Sequence, residues 1–147
     1  MPTVNLTIVK SHLDWTDFRR VGANAIAGGD AEAGGRIGIR PHGRGATQVI
    51  NIRVTHTARV ESDTVKTPAL LRHEQGHLDL VIISAHQIKR DIEGGERWQA
   101  SFRRRMLANA TAQVTYDEET EHGTNAAAQA RWNLRLEAEL ASFAPRA

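Results

Sequence analysis

The chain has 147 residues, seven histidines, no cysteine and a formal charge of +2, a size that suits one domain around one core. The missing cysteines exclude disulfides, thiol nucleophiles, iron–sulfur ligation and every cysteine-based zinc site, so histidine and carboxylate must hold any metal. Its 40% hydrophobic content argues against general disorder, and the near-balanced charge argues against a nucleic-acid partner.

The opening residues, MPTVNLTIVKSHLDW, show no charged leader followed by an apolar stretch, so no signal peptide is expected. Val4, Leu6 and Ile8 alternate with Asn5 and Thr7, which predicts a short strand. LDWTDF follows at 13–18. Residues 22–45 hold eight of the twelve glycines and predict a long flexible connection, with room for a short strand at Arg36 to Arg40. GRGAT at 43–47 lacks the lysine and glycine spacing of a phosphate loop and reads as a turn. Residues 49–60 predict the clearest strand. Ile50, Ile52, Val54, His56, Ala58 and Val60 share one face, and Asn51, Arg53, Thr55, Thr57 and Arg59 share the other, wet one.

Thr67 and Pro68 read as the N-cap and first turn of a helix that runs to about Ile92 and stops at Gly94-Gly95. Its apolar stretch, Leu78 to Ala85, is far short of the roughly 20 residues of a membrane span and predicts a buried helix. Trp98, Phe102 and Met106, at i, i+4 and i+8, predict another helix. The basic run Arg103 to Arg105 lies on its solvated face. A last helix follows Gly123, with Thr124 as cap and Trp132, Leu136 and Leu140 as its stripe. Strands first and helices last favour an α+β fold.

Residues 73–77 read His-Glu-Gln-Gly-His, an HExxH motif inside the predicted buried helix. Residues i and i+4 share a helix face, so His73 and His77 can both reach one Zn²⁺ at about 2.0–2.1 Å. Glu74, roughly 100° round the helix, can approach a metal-bound water whose pKa zinc lowers to about 7, and take its proton as general base. Gly76 costs the helix about 1 kcal/mol relative to alanine, which points to a close approach by another segment or by substrate.

A catalytic zinc site needs a third protein ligand. His86 points about 180° away from His77, and Asp79 is also far round the helix, where an ion pair or supporting role suits it. The best source is 116–123, Tyr-Asp-Glu-Glu-Thr-Glu-His-Gly. Asp117 is read as capping a short turn that Gly123 ends. His122 is the preferred third ligand, with Glu118, Glu119 or Glu121 as the carboxylate alternative. Tyr116 is a candidate oxyanion donor, or else a half-buried packing residue. His12 and His42 read as surface residues and His56 as a satisfied core histidine.

LDWTDF at 13–18, LLRHEQGHLDL at 70–80, YDEETEHG at 116–123, and Gln129 followed by Trp132 together resemble a bacterial family of secreted zinc-dependent proteases, first catalogued as a domain of unknown function. Its members carry an HEQGHFD-like helix and a later YDxETxHG segment followed by QxxW. The resemblance covers about 13–140. It departs at Leu78, where phenylalanine is usual, and in the leader expected of a secreted or periplasmic member. It implies a zincin-like metallopeptidase acting on a peptide or protein substrate, with His73 and His77 on the metal, Glu74 as base and His122 as a further ligand.

The combined expectation is one zincin-like α+β domain over 1–147. A small twisted sheet packs on the long HEQGH helix, C-terminal helices close the site, and residues 49–60 offer a strand for pairing with extended substrate. The alternative is a non-catalytic protein-binding module whose zinc serves stability. Neither nucleic acid nor membrane is expected as a partner.

Overall fold

The computed structural model describes residues 1–144. The fold is α+β. Strands β1 (Thr3–Ile8), β2 (Arg19–Val21), β3 (Ala31–His42) and β4 (Val49–Glu61) precede helices α1 (Pro68–Glu93), α2 (Trp98–Thr120) and α3 (Ala126–Ala141).

β4 is the centre of the sheet. β1 pairs parallel with its first half, β2 parallel with its end, and β3 antiparallel along its whole length. The predicted alternation holds, with Ile50, Ile52, Val54, Ala58 and Val60 buried and Arg53 and Thr57 exposed. His56 departs from expectation, because it is half-buried and its Nδ1 has no hydrogen-bond partner. β3 occupies one edge of β4, and β1 and β2 occupy the other except at 55–58, which leaves no long edge for the expected substrate strand. Among the described residues β3 pairs only with β4, which leaves its other edge open.

Half of the glycine-rich segment, Ala31–His42, is strand, where the sequence predicts a connection with at most a short strand. Glycine weakens a strand by offering no side chain to pack. Here β4 supplies the pairing, and α1 packs so close that the missing side chain is an advantage. A Cβ on Gly35 would lie 3.0 Å from the Thr55 carbonyl oxygen and 3.2 Å from both Leu78 Cδ1 and Val81 Cγ1. Tertiary packing therefore overrides local propensity.

α1 begins and ends where the sequence places it. The Thr67 hydroxyl accepts the Leu70 N–H at 3.1 Å, and Gly94 caps the far end. Its Leu78–Ala85 stretch is buried on every side because the helix runs between two layers. Leu78, Val81, Ile82, Ala85 and Ile88 join the sheet residues in one cluster, while Leu80 and Ile83 meet Tyr116, Trp132 and Leu136 in another. Asp79, inside this stretch, pairs with Arg72 at 3.3 Å and accepts from Gln75 Nε2 at 2.9 Å, which is a structural role. Gln75 also ties down the LDWTDF segment, accepting the Leu13 N–H at 2.7 Å.

α2 is much longer than the Trp98–Phe102–Met106 stripe suggests, and two residues of its basic run, Arg104 and Arg105, pair with Asp91 and Glu96. α3 is capped by Asn125, whose Oδ1 accepts the Ala128 N–H at 3.0 Å, one residue after the predicted Thr124. Among the described residues no helix is long and apolar enough to cross a membrane.

Candidate metal centre

His73 and His77 project from α1 toward the last turn of α2, where Asp117 meets both. Asp117 Oδ1 lies 3.0 Å from His73 Nε2 and 2.9 Å from His77 Nε2. One ligand atom from each of the three residues lies within 4.8 Å of the other two. The outer edges of both imidazoles are held by glutamines. Gln113 Nε2 donates to the His77 carbonyl at 2.9 Å, which turns its Oε1 onto His77 Nδ1 at 2.5 Å. Gln129 Nε2 donates to the Tyr116 hydroxyl and to Asn133 Oδ1, both at 2.8 Å, which turns its Oε1 onto His73 Nδ1 at 2.8 Å. An amide oxygen only accepts, so each Nδ1 carries a proton; each Nε2 then donates to Asp117 Oδ1 when its ring is protonated and offers its lone pair inward when the ring is neutral. Two imidazole lone pairs and a carboxylate oxygen thus converge on one point, a donor set that fits a divalent cation.

The electrostatics are consistent with that convergence. Burial opposes charge on Asp117, but hydrogen bonds from His73 and His77 outweigh it and hold the carboxyl well below its usual range. Burial also opposes charge on His77, yet its bonds to Asp117 and Gln113 raise its pKa on balance. Glu74 is 4% exposed, and burial pushes its carboxyl up to about 7. The two histidines and the Ala33 backbone N–H pull in the other direction. That N–H belongs to β3, which places the strand beside Glu74.

The third member of the group is Asp117, where the sequence favours His122. His122 is exposed, and its Nδ1 stands 3.8 Å from Asp117 Oδ1. The expected cap at Asp117 is also corrected, since 116–120 form the final turn of α2. Glu121, His122 and Gly123 are three successive left-handed residues, with φ of 51°, 56° and 89°. This sharp turn lays the backbone on His73, and a Cβ on Gly123 would come within 2.8 Å of His73 Cγ. The alternative carboxylates stand outside the converging group. Glu119 accepts from Trp132 Nε1 at 2.9 Å, Glu121 accepts from Asn125 Nδ2 at 3.1 Å, and Glu118 is exposed.

Tyr116 is fully buried, and its hydroxyl donates to the His73 carbonyl at 2.8 Å. Its ring stacks on His73 with centroids 4.8 Å apart. A hydroxyl committed in this way, with burial pushing its pKa up, positions the histidine and is not placed to receive an oxyanion. Tyr116 also accounts for Gly76, because a Cβ there would fall 2.1 Å from the phenolic oxygen. Gly76→Ala gains about 1 kcal/mol of helix propensity but forces Tyr116 off its two hydrogen bonds, with overpacking of about 1–3 kcal/mol added to their loss. The clash wins, so the variant should unfold at lower urea than wild type. An unchanged midpoint would show that Tyr116 moves aside freely.

His86 stacks on Phe143 away from the group, as the helix angle requires, and His12 and His42 are exposed. Sequence reasoning missed Asp117 as the third member of the group and Gln113 altogether. A signal existed, because the stripe Trp98, Phe102, Met106 continues at helical spacing through Asn109, Gln113, Tyr116 and Thr120. Extending it places Asp117 one turn beyond Gln113 on the face toward His77. Gln113→Leu and Gln129→Leu are each expected to weaken metal binding about 10–100-fold, measured by competition with a chromophoric chelator. Undiminished affinity would mean that the rings need no such support.

Comparison with known proteins gives no match: no family model fits the chain, and neither a curated protein nor a solved structure is significantly similar to it.

Proposed function

We propose that this chain is a zinc-dependent peptidase of the HExxH type. The observation that carries the reading is the convergence of His73 Nε2, His77 Nε2 and Asp117 Oδ1 beside a buried glutamate whose pKa stands near neutrality. A divalent cation held there supplies Lewis acidity and an activated water. Glu74 takes the proton of the attacking water and returns it to the leaving nitrogen. The open edge of β3 runs past Glu74 and supports an extended peptide lying along it. The four sequence blocks behind the family resemblance gather on α1, which supports the same reading: LDWTDF through Gln75, YDEETEHG through Tyr116 and Asp117, and Gln129 through His73.

Two histidines and one carboxylate also form the set that holds non-haem iron(II). The buried Glu74 favours zinc, because it serves as a base in hydrolysis and has no counterpart in that triad. The non-catalytic reading draws on His122, whose 3.8 Å approach to Asp117 would let it close a four-ligand shell. The test is metal titration of chelator-treated protein with zinc and iron(II), followed by peptide hydrolysis. About one zinc per chain and zinc-dependent cleavage support the peptidase. A zinc-loaded protein that is stabilised but inert supports the binding module.

A further inference from the structure

We propose that the cleft over the metal centre selects peptides with lysine or arginine beside the bond to be cut. This inference rests on the peptidase reading. The cleft is about 560 Å³, with residues 26–33 on one side, residues 117–124 on the other, and Leu70, His73, Glu74 and His77 of α1 between them. Five carboxylates line it, from Asp30, Glu32, Glu74, Asp117 and Glu121. Among the described residues no lysine or arginine lines the cleft.

Charge bookkeeping leaves two of these acids free. Glu74 and Asp117 belong to the reacting centre and offset the charge of a divalent cation. Glu32 is paired with Arg59. The Glu121 carboxylate meets only the neutral Asn125 amide, and Asp30 is exposed. Both residues are held in left-handed backbone, with φ of 51° and 55°, so their placement is imposed by the fold. The Asp30 carbonyl is fastened from β4 and beyond, accepting the Glu61 N–H at 2.7 Å and the Thr64 hydroxyl at 2.9 Å.

The shape of the cleft agrees with its charge. Ala27, Gly28, Gly29, Ala31 and Ala33 leave room for a long side chain, and Ile26 and Leu70 offer apolar surface for its methylenes. A concave site lined by carboxylates and by no basic side chain among the described residues attracts a cationic side chain and repels an acidic one.

The test uses zinc-loaded Glu74→Gln protein and labelled peptides alike except for lysine, alanine or glutamate at the central positions. The lysine peptide is expected to bind about tenfold tighter than the glutamate peptide at low salt, a gap that narrows by about 0.5 M salt. Asp30→Asn with Glu121→Gln should reduce the gap to about twofold. Both changes suit their sites, because asparagine tolerates the left-handed region and glutamine keeps the bond from Asn125. Equal affinities, a preference for glutamate, a gap that survives the double variant, or no binding of any peptide overturns the proposal. Wild-type protein that cleaves peptides regardless of charge would keep the peptidase reading and sink this one. Lysine-selective binding without any cleavage would sink the peptidase reading and keep only the preference of the cleft for a cationic side chain.

Discussion

Glu74→Gln is expected to keep its zinc and lose hydrolysis, with kcat lower by about 10²–10⁴-fold. Glutamine preserves the shape and the hydrogen bonding of the carboxylate but cannot accept a proton at neutral pH. The three converging ligand atoms belong to other residues, so metal content should stay near wild type. Cleavage at the wild-type rate would remove Glu74 as the base. The same variant has a second readout, in stability. Burial raises the Glu74 carboxyl from 4.5 to about 7 in the metal-free protein. The native state therefore binds a proton more tightly than the unfolded chain does. That contribution to stability is complete below about pH 4.5 and is lost as pH rises through about 7. Above neutrality the ionised carboxylate costs the metal-free fold up to about 3 kcal/mol. Glu74→Gln should consequently raise the Tm of chelator-treated protein by about 3–10 °C at pH 8, with a smaller gain at pH 5. A residue that opposes stability while lying beside a group that could hold a metal is what a functional group looks like energetically. A variant that melts below wild type at pH 8 would contradict this account.

Asp117→Ala should weaken zinc binding by more than about 100-fold, well beyond the loss from either supporting glutamine. The substitution removes the only carboxylate oxygen within reach of both Nε2 atoms among the described residues. His122→Ala should cost much less, because that ring is 68% exposed and stands outside the converging set. Zinc titrations of the two variants side by side decide the third ligand. A larger loss in His122→Ala would restore the ligand favoured by the sequence, with the turn at 121–123 closing onto the metal. In the metal-free protein the loss of Asp117 has an effect of known sign. Its carboxyl is held below the ordinary value, so its contribution is present above the unfolded pKa and disappears as pH falls through the depressed one.

Much of this molecule is legible in its residues. The 3.6-residue period puts His73, His77 and Glu74 in their relative positions on α1 without help from the rest of the chain. Thr67, Pro68 and Gly94 bound that helix by local hydrogen bonding and conformational preference. The alternation in β4 and the strand-then-helix order yield the α+β class, and His86 is excluded by its angle alone. These features depend on neighbours a few residues apart, which a linear reading can see. The third ligand depends on how far α2 continues and how it crosses α1. Gln113 and Asp117 become partners of His77 only because α2 runs a full turn beyond Gln113 against α1. The strand at Ala31–His42 exists because β4 lies on one side and α1 presses on Gly35. Gly76, which the sequence marks only as tolerating a close approach, is explained by one oxygen from a residue forty positions away. Local spacing determined the histidine pair and its glutamate. Packing between distant segments decided the carboxylate that completes the group and the strand that flanks it, because those contacts form only when non-local apolar faces are buried together.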